Sequence, residues 1–141
     1  AGTVPDFFRV ESMRVITDEL PSGEFGTEAT VKVWVGPDGP DGPGAERHVW
    51  VAEGNGPVNA IDTALRKAVG RAVPAIDAIH LTDYKVRILD GGSATGAVTR
   101  VLVSASDGER DWTTIGVSAN IIEASWRALE DSLVYGLLQH R

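Results

Sequence analysis

Cysteine is absent from this chain, so neither a disulfide framework nor a thiolate metal site is open to it, a composition compatible with the cytoplasm. No apolar run approaches the ~20 residues of a membrane-spanning helix, and no signal peptide is expected from this sequence. Positive charge is in the minority. Thirteen Lys and Arg against twenty Asp and Glu leave a net −7 at pH 7, which argues against nucleic acid or an anionic membrane as partner. Histidine is scarce as well: His48, His80 and His140 are scattered, with no metal-ligand spacing among themselves or with carboxylates. No nucleophile elbow, phosphate loop or dinucleotide fingerprint occurs. Asp38 and Asp41 lie among glycines as in a calcium loop, but without the EF-hand spacing. No catalytic residue and no metal site is expected in this chain.

What is present suits a soluble globular fold. A chain of 141 residues reads as one domain able to bury about two-thirds of the surface its unfolded form exposes. The start, Ala1 to Asp6, reads as a disordered lead-in, and the chain as a fragment of something longer.

Hydrophobic periodicity lays out two similar halves. Phe8 to Thr17 reads as a strand whose alternation changes phase, with Phe8 and Val10 on one face and Met13 and Val15 on the other. After a turn region from Asp18 to Gly26, Thr27 to Val35 is a strand with Ala29, Val31, Val33 and Val35 on one face and Thr30, Lys32 and Trp34 on the other. Gly36 to Gly44 is low-complexity turn sequence, expected as a mobile surface loop away from any pocket. Arg47 to Ala52 is a third strand. Pro57 to about Arg71 is an amphipathic helix with Val58, Ile61, Leu65 and Ala68 as its stripe. The pattern recurs: Ile79 to Leu89 repeats the phase change, Ala97 to Val103 echoes Ala29 to Val35, and Trp112 to Val117 follows a hairpin turn at Ser106 to Arg110. Ile121 to about Leu138 is a second helix, striped by Ile122, Trp126, Leu129 and Leu133. Trp34, Trp50 and Trp112 also sit at core-like periods. Two βββα units, about 7–72 and 78–139, therefore form an α+β domain with pseudo-two-fold character. The shared phase change at Ser12 and Asp83 points to a β-bulge or bend at matching places. Small residues (Ala124, Ala128, Ser132) and apolar strand faces need cover, so a homodimer is expected.

The stretch EGNGPVNA, Glu53 to Ala60, carries the clearest functional signal. Pro57 fits the first helical position, which puts Gly56 at the N-cap, where no side chain can satisfy the free amides. The N–H groups of Val58, Asn59 and Ala60 would then face outward at the positive end of the helix dipole, a site for a carboxylate or phosphate. Gly54 and Gly56 would let a ligand approach the backbone. An ordinary strand–turn–helix junction with water on its amides accounts for the same residues. The second helix differs: Asn120 to Glu123 forms a capping box and satisfies its own amides. If one of the two helix starts binds an anion, it should be the first. Asp83 and Tyr84 could offer an ammonium acceptor and a phenol, or simply a strand bend with a half-buried tyrosine.

Laid out in this way, the chain resembles the C-terminal regulatory domain of the 2-isopropylmalate synthase and citramalate synthase family. The matching segments are Thr27–Val33, Glu53–Asn59, Asp83–Leu89, Ala97–Val101, Gly116–Ser118 and Asn120–Trp126, which span nearly the whole chain in order. The wording of the second half is closest to citramalate synthases. The resemblance implies a dimeric regulatory domain of two βββα units, following an N-terminal TIM barrel that is absent from this chain. That barrel holds a divalent metal and joins acetyl-CoA to a 2-keto acid. It also implies feedback inhibition by an end-product branched-chain amino acid, with isoleucine favoured and leucine the alternative; a purely structural dimerisation module is the other reading. Carried over by position, the effector pocket takes in Gly54, Gly56, Val58 and Asn59, then Leu81, Tyr84 and Ile88, and Thr95 and Ala97. Asp83 is a candidate for the ammonium. Asn59 and Thr95 stand where leucine-sensing relatives tend to have smaller apolar residues.

Overall fold

Period-two runs rich in Val and Thr become strands here, and the two 3.6-period stripes become helices. The computed structural model describes residues 7–19, 21–23, 25–89 and 98–140, in two compact units, Ala1–Pro74 and Ala75–Arg141. The first unit holds strands β1 (Arg9–Glu19), β2 (Phe25–Val35) and β3 (Glu46–Gly54) and helix α1 (Pro57–Val69). The second holds β4 (His80–Leu89), β5 (Val98–Ser106), β6 (Asp111–Ser118) and α2 (Ile121–Gln139). Each set of strands is an antiparallel meander in chain order, so both units are βββα. A short 3-10 helix, Pro74–Ala78, links α1 to β4; Pro74 starts it without needing an N–H.

In the first unit, Ala29, Val31, Val33 and Val35 are buried against Val58, Ile61, Leu65 and Ala68. Each large aliphatic side chain so buried contributes about 1.5–3 kcal/mol before the entropy of ordering it is set against that gain. The phase change in β1 is a bulge, with the register shifting between Val10 and Ser12. Its consequence reverses the expected faces. Val10, Met13 and Val15 pair with Val33, Val31 and Ala29, so all three lie on the core side instead of being split between two faces. The extra residue restores the alternation that the sequence seems to break. β4 repeats this: the register shifts between Leu81 and Asp83, and Leu81, Tyr84 and Val86 pair with the buried Ala105, Val103 and Val101.

These bulges fix how the two halves correspond. Met13 answers to Tyr84, Val31 to Val103, Trp50 to Thr114, and Gly56 to Asn120. The sequence echo sets Val31 against Thr99, four residues away from the structural partner. An even slip keeps every side chain on its own face, which is why the echo looks convincing.

The α2 stripe also differs from the expected one. Ile122 and Trp126 are only half-buried, whereas Ala124, Ala128, Ser132 and Gly136 are buried beside Leu129, Leu133 and Leu137. The small residues are covered within their own unit, not left for a partner. A Cβ on Gly116 of β6 would strike the Ala124 carbonyl and lie 2.8 Å from the Ala128 nitrogen, so the helix backbone rests directly on the strand. Trp112 Nε1 donates to the Ser132 carbonyl at 3.1 Å, and the Thr114 hydroxyl donates to that of Ala128. Of the other tryptophans, Trp50 is 44% exposed on β3. Gly36–Gly44 is not a slack loop: Gly39, Gly42 and Ala45 each donate to the carbonyl three residues earlier, and Arg9 holds Asp41 at 2.9 Å.

Candidate functional site

The junction of β3 and α1 is built from glycine at two positions with different uses. Gly54 pairs with Thr27, and a Cβ there would collide with Asn59 Oδ1 and stand 2.6 Å from the Ala60 nitrogen. The close approach that Gly54 permits is therefore by the helix itself, not by a ligand. Gly56 is the N-cap. Its φ of 178° is extended backbone, no side chain caps the helix, and a built Cβ meets nothing within 4 Å. Space at this position is open.

The helix start leaves two free amides where the sequence suggested three. Ala60 N–H closes the first helical bond onto the Gly56 carbonyl at 3.0 Å, as the fourth residue after the cap must. Val58 and Asn59 keep N–H groups without partners among the described residues, with no acidic side chain in the first turn. Val58 is 3% exposed, so its side chain belongs to the core and only its amide can serve a ligand. Asn59 is exposed. Deeper in the helix, Asp62 is buried and its carboxyl is pushed above the usual range by that burial, against the opposing pull of Arg66 at 2.9 Å.

The second helix start is closed. Asn120 Oδ1 accepts from Ile122 N–H at 2.8 Å and Glu123 N–H at 3.2 Å. Glu123 does not reach back to the Asn120 amide, as a simple capping box would. Ser118 Oγ accepts from that amide at 3.1 Å and donates to Glu123 Oε2 at 3.2 Å. Every amide of that first turn with a side-chain partner is thus served from within the chain.

The expected site residues divide between the units. Gly54, Gly56, Val58 and Asn59 come together at the α1 start. In the second unit, Leu81, Tyr84 and Ile88 share the inner face of β4 through their partners Ala105, Val103 and Thr99. Tyr84 Oη lies 3.4 Å from the buried Ser125 Oγ, and Ile88 is 73% exposed. Asp83 pairs with Ser104, on the opposite face of the sheet from those three. Its Oδ1 already accepts from the Tyr84 amide at 2.9 Å, and Lys85 lies 3.7 Å from Oδ2. Thr95 and Ala97 lie outside the described residues.

Beside Gly54 the structure shows a feature that sequence reasoning passed over. An open groove of about 410 Å³ is lined by Asp18, Thr27, Glu28, Glu53, Gly54 and Asn55, among others. Alternation alone places Glu28 and Glu53 among solvent-facing strand residues. Their meeting across β2 and β3 depends on the register, which no single strand reveals. Among the described residues no helix is long and apolar enough to cross a membrane, and no group of three or more His, Cys, Asp or Glu is placed to hold a metal.

Comparison with known proteins adds a family pattern to this geometry. Residues 1–137 match the LeuA allosteric (dimerisation) domain. The chain is similar to the (R)-citramalate synthase of Synechocystis sp., at 57% identity over 140 residues, covering 96% of this chain and 24% of that protein. It is similar to that of Streptomyces coelicolor at 50% over 133 residues, with 94% and 23% covered. The (R)-citramalate synthase of Aquifex aeolicus matches at 43% over 143 residues, with 98% and 25% covered. The chain thus spans about a quarter of the length of these curated relatives.

Proposed function

Since this chain belongs to the LeuA allosteric (dimerisation) domain family, we propose that it is the dimer-forming regulatory domain of a citramalate synthase-like acyltransferase. In this reading a separate catalytic barrel joins acetyl-CoA to a 2-keto acid, and acetyl-CoA and a divalent metal belong to that barrel. This chain binds the end-product branched-chain amino acid, isoleucine ahead of leucine, and inhibits the barrel. A cytoplasmic location goes with that role.

The observation that carries the sensing half is the contrast between the helix starts. α2 is capped by Asn120; at the corresponding place α1 has Gly56, two free amides and open space. A ligand carboxylate there would accept both N–H groups at the positive end of the dipole. Support for dimerisation comes from the helix coverage. α2 packs on β5 and β6, leaving Val86 and Ile88 on β4 38% and 73% exposed.

Calorimetric titration with isoleucine, leucine and valine tests the reading. Isoleucine should bind most tightly, with leucine weaker by an amount of the order of one methylene placement, ~1–3 kcal/mol. Tighter leucine binding would move the chain to the isopropylmalate branch. No heat with any of the three would leave a structural dimerisation module.

A further inference from the structure

Three of the thirteen Lys and Arg of this acidic chain meet at one place. A cleft of about 690 Å³ lies between β3, an outermost strand of its sheet, and the C-terminal end of α1. Arg47, His48 and Trp50 line it from the strand, with Lys67 on α1 and Arg71 just beyond it. The chain carries twenty acids, yet no carboxylate lines this cleft among the described residues. Arg47 is already held by Glu11 at 2.9 Å, and His48 Nε2 lies 3.1 Å from Glu46. Lys67 and Arg71 have no ion-pair partner among the described residues. The cations also crowd one another: the Ala68 carbonyl and then Glu46 favour the charged His48 ring, and Arg71 is near enough to oppose it. Trp50 is 44% exposed. Ring contacts among the described residues join Trp112 to Tyr135 and Arg9 to Trp34, so neither a ring nor a cation stacks on Trp50.

The second unit shows that the fold does not require this arrangement. There the places of Arg47, His48, Lys67 and Arg71 are taken by Asp111, Trp112, Asp131 and Tyr135. The Trp112 and Tyr135 rings lie 5.1 Å apart, and Trp112 Nε1 donates to the Ser132 carbonyl and hydroxyl. The corresponding place is therefore acidic and occupied by the chain's own rings. The negative end of the helix dipole accounts for Arg66 and Lys67 in the last turn of α1. It does not account for an acid-free wall with a bare tryptophan face beside it.

We propose that this cleft binds a nucleotide, with Trp50 stacking on the base and Lys67 and Arg71 taking the phosphates. Phosphate oxygens suit both the point charge of a lysine and the planar fork of an arginine, and every base has a π-face for an exposed indole. An inorganic anion alone would leave Trp50 unused, and an apolar ligand would leave two cations unpaired. The cleft, at about 690 Å³, falls within the ~300–1,000 Å³ of small-molecule sites. A net charge of −7 disfavours a polyanion as long as a nucleic acid, whereas a single nucleotide needs only the local field of these side chains. The site is at the opposite end of α1 from Gly56, so it is separate from the amino-acid reading and does not rest on it.

The test is calorimetric titration with ADP, adenosine and inorganic pyrophosphate at one ionic strength. Wild type should bind ADP more tightly than either fragment. Lys67→Gln/Arg71→Gln should weaken ADP about tenfold or more and leave adenosine unchanged. Trp50→Leu should weaken ADP and adenosine by about tenfold and leave pyrophosphate unchanged. The control is Lys85→Gln/Arg87→Gln, which removes the same charge from β4 and should leave ADP affinity within about twofold. All four of these cations are exposed, so both double variants should melt close to wild type, which separates lost binding from a lost fold. A wild-type chain without saturable ADP binding would overturn the inference. So would Lys67→Gln/Arg71→Gln binding ADP as tightly as wild type, or the β4 control weakening it as much. Pyrophosphate bound as tightly as ADP, with Trp50→Leu without effect, would make this a plain anion site and overturn the nucleotide assignment.

Discussion

His48 and Trp112 occupy corresponding places on β3 and β6, and each ring reaches a carbonyl of its own helix. His48 Nδ1 lies 2.7 Å from the Ala68 carbonyl, and Trp112 Nε1 lies 3.1 Å from that of Ser132. Only one of them titrates. The Ala68 carbonyl first, and then Glu46 Oε2 at 3.1 Å from Nε2, hold the His48 imidazolium above its ordinary range. Both contacts are donated only by the protonated ring. A raised folded-state pKa means the added stability is complete below about pH 6.5 and is lost as pH rises through the folded value. The melting temperature should therefore fall between pH 6 and pH 8, by an amount worth about 1 kcal/mol or less. His48→Asn should flatten that slope, as thermal melts across the range would show. Gly116 makes a steric prediction instead. Gly116→Ala drives a methyl into the backbone of α2 at Ala124 and Ala128, and should cost about 1–3 kcal/mol or more in denaturant unfolding. Neither role can be read from one residue's identity. His48 looks like a surface histidine, and Gly116 a weak point in a strand, until the helix above them is placed.

At the scale of elements, the number, order and type of strands and helices follow from hydrophobic period and turn chemistry, because each strand has one buried face and each helix one stripe. The errors have specific causes. The two bulges displace the alternation by one residue, so Met13 and Val15 are assigned to the wrong face unless the extra residue is counted. A repeat of alternating valines is compatible with several even registers, and sequence similarity selected one four residues away from the pairing the bulges impose. In α2 the row that meets the sheet is small, Ala124 to Gly136, so counting large apolar residues pulls the stripe toward Ile122 and Trp126. The helix starts were legible because capping depends on local residue chemistry. Asn120→Gly should lower stability by a few tenths of a kcal/mol, up to about 1 kcal/mol, through loss of the bonds to Ile122 and Glu123. It should leave amino-acid affinity within twofold, as calorimetry on the same preparation would show.

For the molecule as a whole, the family was legible because six segments in order carry the resemblance, and the comparisons place the chain in that family over residues 1–137. The site was less legible. Its expected residues divide between two units, Asp83 falls on the far face of β4, and the groove acids meet only through strand pairing. The proposed self-association rests on apolar residues of β4, Val86 and Ile88, that stay exposed. Sedimentation at micromolar concentration should give a dimer of the 15.0 kDa chain, and a monomer throughout would contradict the dimer-forming role.

The central claim is that the uncapped start of α1 receives the effector's carboxylate, and Gly56→Asp tests it most directly. The extended backbone at Gly56 accepts any residue and a Cβ there meets nothing, so the melting temperature without ligand should stay close to wild type. The new carboxylate would occupy the amides of Val58 or Asn59 and repel the ligand's own. Calorimetric titration of this variant with isoleucine should show binding at least tenfold weaker, ~1.4 kcal/mol or more, or none detectable. Isoleucine bound by Gly56→Asp as tightly as by wild type would contradict the account.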